Sequence, residues 1–106
     1  MPSTYILDEN IVEYLQEINE TIKNRKNWSS YEYDATLESL KLALKMINNS
    51  YRKLTGTTLE DTARRLFEGT QMGGIDIFIS YYNGFLFVRK LEYKLQWHRD
   101  YGSSVD

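Results

Sequence analysis

The chain has 106 residues, 42% of them hydrophobic and 26% charged, with nine Tyr, four Phe, two Trp, a single His and no Cys. That length gives one domain able to bury roughly two thirds of its unfolded surface, with little room for both a core and a deep catalytic cleft. The lack of Cys excludes disulfides, a thiolate nucleophile and cysteine metal sites, and a net charge of −2 is far both from the basic field of a nucleic-acid binder and from the acid density of a phosphate mimic.

From the amino end, Ile6-Leu7 runs straight into Asp8-Glu9 with no basic segment and apolar run, so neither a signal peptide nor a membrane span is expected, and the cytoplasm is the expected compartment. Asp8 is a plausible N-cap. Ile11, Tyr14, Leu15, Ile18 and Ile22 come after it at helical spacing, which predicts a first helix from about 9 to 23. Its opposite face holds Glu9, Glu13, Glu17 and Glu20. Residues 1 to 22 carry five acids and no Lys or Arg, a local charge of −5, while the remaining ten acids and thirteen bases give +3. Each like-charged helical pair costs about 0.2–0.5 kcal/mol, a repulsion that a basic partner would reverse.

After a polar loop at 24–28, Ser29 and Glu32 fit a capping box, and Tyr33, Leu37, Leu40, Leu44, Ile47, Tyr51 and Leu54 give a second helix over about 30–54. Asn48-Asn49-Ser50 inside it competes for backbone hydrogen bonds, a place for a kink. Gly56 stops this helix. Thr57 with Glu60 reads as a second capping box, opening a third helix over about 58–68 that Gly69 closes, and Met72-Gly73-Gly74 reads as a flexible lead into the C-terminal third of the chain.

The segment 75–88 is rich in Ile, Tyr and Phe around Asn83-Gly84, the strongest short signal for a two-residue hairpin turn. A type I′ turn there sets Tyr82 opposite Phe85, Ser80 opposite Phe87 and Phe78 opposite Arg89. The other face then collects Ile75, Ile77, Ile79, Tyr81, Leu86 and Val88. Beyond Val88 the pattern forks. Leu91, Tyr93, Leu95 and Trp97 alternate as a strand requires, yet Val88, Leu91 and Leu95 also share one helical face. A strand to about Tyr93 and a tail over residues 100–106 are expected. The fold class read here is therefore α+β, three helices packed on a C-terminal antiparallel hairpin at about 75–93, in one domain spanning 1–106.

The side chains offer little chemistry. His98 has no nucleophile motif beside it and is expected to be solvated or capping, the acid pairs Asp8-Glu9 and Glu60-Asp61 sit where carboxylates favour helix starts, and neither a metal-ligand spacing nor a phosphate loop occurs. No catalytic residue, metal or cofactor is assigned. The expectation is a small non-enzymatic protein–protein interaction module, a regulator or inhibitor of a larger protein, of a size that suits an accessory protein of a bacterium or phage. Its partner-binding residues would be Tyr82, Phe85, Phe87, Arg89 and Tyr93 on the aromatic hairpin face, with the acidic face of the first helix as accessory and an open hairpin edge for homo-oligomers. The alternative is a nucleic-acid binder, either winged-helix-like, with Arg64 and Arg65 toward DNA, or stacking bases on Tyr82, Phe85 and Phe87 near Arg89. Glu60-Asp61 at the start of the reading helix argues against the former.

Overall fold

The structure, a computed structural model, describes residues 7–70 and 73–102. Four helices account for most of them: α1 (Glu9–Lys23), α2 (Ser30–Thr55), α3 (Leu59–Phe67) and α4 (Ile75–Tyr101). The described residues contain no strand.

Side chains fix where the first three begin. The Asp8 carboxylate accepts from the Asn10 N–H at 2.8 Å, and the Glu32 carboxylate turns back to accept from the backbone N–H and the hydroxyl of Ser29 at 2.5 and 2.7 Å. At α3 the cap is one residue later than the sequence suggested: Thr58, not Thr57, accepts from the Asp61 N–H at 2.9 Å. Helix α2 ends on Gly56 in the left-handed region, and α3 ends in a Schellman turn in which Gly69 and Thr70 donate to the carbonyls of Leu66 and Arg65. Asn48-Asn49-Ser50 does not interrupt α2, and the Ser50 hydroxyl instead bonds the Tyr81 hydroxyl at 2.7 Å.

The hairpin is overturned. Residues 75–101 form one helix of 27 residues, so the fold is all-α rather than α+β. The buried side chains settle the period: Phe78, Tyr81, Val88, Leu91, Leu95 and His98 are three or four residues apart, with one longer step between Tyr81 and Val88. Gly84 falls in that step, and it is a place of close approach, not a turn. A Cβ there would lie 2.8 Å from Leu7 Cδ2 and 3.7 Å from Ile47 Cδ1, and Gly84 is absent from the glycines with positive φ. The isoleucines that alternate in sequence are scattered round the helix, Ile75 and Ile79 outward, Ile77 half-buried. The expected tail is also corrected, since α4 runs through Tyr101; positions 71–72, with Met72 of the flexible lead, and 103–106 lie outside the described residues.

Helix α2 touches all three others and packs most extensively on α4. The two run antiparallel, as Asp34 of α2 reaches Arg99 of α4 while Ser50 and Tyr51 meet Tyr81 and Phe78. The core joins Ile11, Leu15, Ile18 and Ile22 of α1 to Tyr33, Leu40, Ala43, Ile47 and Tyr51 of α2, Leu59 of α3 and the inner stripe of α4. His98, expected at the surface, belongs to that inner stripe and is buried. The molecule is only 20 Å thick along its shortest axis, about two helix diameters.

Candidate interaction surface

Helix α4 carries apolar side chains all round. Opposite its buried stripe, Ile75, Ile79, Tyr82, Leu86, Arg89, Tyr93 and Trp97 succeed one another at steps of three or four residues, which aligns them along the outside of the helix. Leu86 is 46% exposed, Tyr93 65% and Trp97 43%, while Tyr82 and Arg89 are half-buried. Large apolar groups in a continuous row on water are less common on a protein surface than the same residues scattered singly.

Four of the five partner residues read from the sequence come together here. Tyr82, Phe85, Arg89 and Tyr93 share one side of α4, and Phe78, Tyr82 and Phe85 form a ladder of stacked rings with centroids 5.2 and 6.2 Å apart. Arg89 lies flat along the helix. Its guanidinium donates to Glu92 and to the Tyr93 hydroxyl, both at 2.8 Å, and stands 5.0 Å from the centre of the Tyr93 ring. The bond to Glu92 first, then Tyr93, raises the Arg89 pKa above its already high ordinary value. Phe87 does not join them. It projects on the other side of α4, over an open groove of about 290 Å³ shared with Val12, Leu15, Gln16 and Asn19 of α1.

Two further grooves flank the patch. Tyr82 and Phe85 wall one of about 600 Å³ with Asn48, Asn49 and Arg52 of α2 and the start of α3. Arg89 and Tyr93 wall another of about 470 Å³ with Asp34, Glu38 and Lys41 of α2. Ile75, Ile79, Leu86 and Trp97 escaped the sequence reading, although their spacing was present; alternation around Asn83-Gly84 assigned three of them to strand faces and left Trp97 on the forked segment.

The acidic residues of α1 are all exposed, and Glu20 makes an ion pair of 3.9 Å with Lys23. Glu13, Gln16, Glu17 and Glu20 line a shallow acidic hollow. The winged-helix reading loses its wing, since the hairpin is helical, and Arg64 is engaged by Asp61 of α3 at 3.0 Å and by Glu68 at its C-terminal end at 3.9 Å. With the hairpin replaced by helix there is no open strand edge among the described residues, so homo-oligomers by strand addition are also corrected. Nor do Tyr82, Phe85 and Phe87 form one stacking platform. Among the described residues no three His, Cys, Asp or Glu converge as metal ligands, and no helix is long and apolar enough to cross a membrane. No protein-family model matches this chain, and no curated protein or solved structure is similar enough to it to count as a match.

Proposed function

We propose that this protein is a non-enzymatic protein–protein interaction module of the cytoplasm, a regulator or inhibitor of a larger protein, and that its binding surface is the outer face of α4. The observation that carries this reading is the apolar row from Ile75 to Trp97 on the side of α4 turned away from the core. Tyr, Trp and Arg are the side chains that concentrate binding energy at interfaces, and Arg89 held against Tyr93 loses little freedom on being covered. The exposed glutamates of α1 act beside it by drawing in a basic partner surface and speeding encounter.

The test is capture of partners from source-cell lysate, with and without nuclease, on the tagged protein and on Leu86→Glu. A discrete protein retained by the wild type and lost from the variant, with the thermal midpoint of the isolated variant monomer no lower than that of dilute wild type, supports the reading. Equal retention by both removes the α4 face from it, and retention that disappears with nuclease transfers the function to nucleic-acid binding.

A further inference from the structure

We infer that the first occupant of the outer face of α4 is a second copy of this chain, laid antiparallel across it with Leu86 at the twofold axis; this rests on reading that face as an interaction surface. The row is self-complementary about Leu86. Ile75 stands eleven residues before it and Trp97 eleven after, and Ile79 seven before and Tyr93 seven after, so each isoleucine of one copy meets a large ring of the other and the two Leu86 side chains meet at the axis. A twofold interface demands that symmetry, because residue i must fit j while j fits i.

Charge chooses the direction. In a parallel pair the bases Arg89 and Lys90 of the two copies would face each other across the seam. In the antiparallel pair the two Lys90 lie eight residues apart in register, about 12 Å along the axis, and the two Arg89 six apart, about 9 Å, with each Arg89 beside the partner copy's tyrosine ring at position 82. On the flank of the row that carries Asp76, Asn83, Phe87, Lys90 and Lys94, antiparallel packing brings like flanks together, so Asp76 of one copy approaches the lysine at position 94 of the other. Antiparallel alignment also sets the two helix dipoles head to tail.

Size fits as well. Tyr93 and Trp97, rings of roughly 150–250 Å² apiece, and the aliphatic Ile75, Ile79 and Leu86 are about half open to water, and together with the half-buried Tyr82 they offer several hundred Å² per copy. With the flanks closed, a contact about 33 Å long comes within reach of the roughly 800 Å² that a standard interface takes from each partner. Covering it would place α4, apolar on both sides, in the interior of the assembly, where such a helix belongs. The acidic faces of the two α1 helices would remain open.

The 106-residue chain is tested by light scattering on a sizing column over a series of rising concentrations, because dimerisation follows mass action. The expected mass at the upper end is twice that of the 12.6 kDa chain. Leu86→Glu, which sets two carboxylates at the axis, and Tyr93→Glu as a second variant are each expected to weaken association at least 100-fold with helical content unchanged. Because the protein has no cysteine, single cysteines report direction: Leu86→Cys is expected to cross-link two chains on mild oxidation, and Ile75→Cys, whose copies would lie far apart, is not. Efficient cross-linking of Ile75→Cys overturns the antiparallel arrangement. A wild-type monomer at every concentration overturns the dimer; if Leu86→Glu then still strips a captured protein from lysate, the face keeps its function with another occupant, and if it strips nothing, the proposed function falls too.

Discussion

Gly84 is the residue on which the reading of this chain turns. In a hairpin it would need a positive φ that only glycine adopts freely, whereas in α4 it needs only the absence of a side chain beneath Leu7 and Ile47. The two cases separate on substitution. Gly84→Ala gains helix propensity of up to about 1 kcal/mol and loses part of it in displacing the mobile end of Leu7, so its stability should stay within about 1 kcal/mol of wild type. Gly84→Leu should cost about 1–3 kcal/mol by overfilling the α2–α4 contact, and urea titration measures both. A large loss on Gly84→Ala would count against the helix. A second residue-scale test lies in the buried pair Tyr51 and Thr62, whose hydroxyls stand 3.0 Å apart while Thr62 donates onward to the Thr58 carbonyl. Thr62→Val strands the Tyr51 hydroxyl and should cost about 1–3 kcal/mol. Adding Tyr51→Phe should return part of that loss, and a fully additive double mutant would mean that the two hydroxyls are not coupled.

At the level of elements, the capping side chains and apolar stripes write α1 and α2 plainly into the sequence, and α3 with its cap displaced by one residue. Helix α4 was illegible for two reasons. A helix with apolar residues on both faces loses the amphipathic contrast that reveals period 3.6, and its β-branched and aromatic residues cost a helix only tenths of a kcal/mol each, which the core at Tyr81, Val88 and Leu95 outweighs. The outer row of α4 was divided by the wrong period: Tyr82, Arg89 and Tyr93 were read onto the aromatic face of a hairpin, Ile75, Ile79 and Leu86 onto its aliphatic face, and Trp97 onto the forked segment beyond. One further link between elements is testable by pH. Arg99 clasps Asp34 through two bonds of 2.5 and 3.1 Å and holds its carboxyl below the ordinary aspartate range. A carboxyl whose pKa is lowered on folding adds stability above its unfolded value of about 4 and loses it as pH falls through the folded value. The stability gap between wild type and Asp34→Asn should therefore be constant near neutrality, close below about pH 4, and shrink in high salt because the pair is exposed. A gap that ignores pH would show that the clasp adds nothing.

For the molecule as a whole, two layers of helix leave α4 with water on one side, and the proposed dimer gives it a second neighbour. Stability should then rise with protein concentration in the wild type and be independent of it in Leu86→Glu, a comparison that thermal melts at two concentrations decide. The antiparallel embrace of α2 and α4 also has a bearing on how the chain is made. The stripe Leu40, Ala43 and Ile47, fully buried in the finished fold, waits for a helix that closes only at Tyr101. At about 5–20 residues per second, a ribosome needs a few seconds to travel from Thr55 to Tyr101. Throughout that interval the longest helix yet formed shows its inner side to the cell. Nascent chains stalled before α4 should accordingly be ready substrates for holding chaperones and proteases, and those released past it should not.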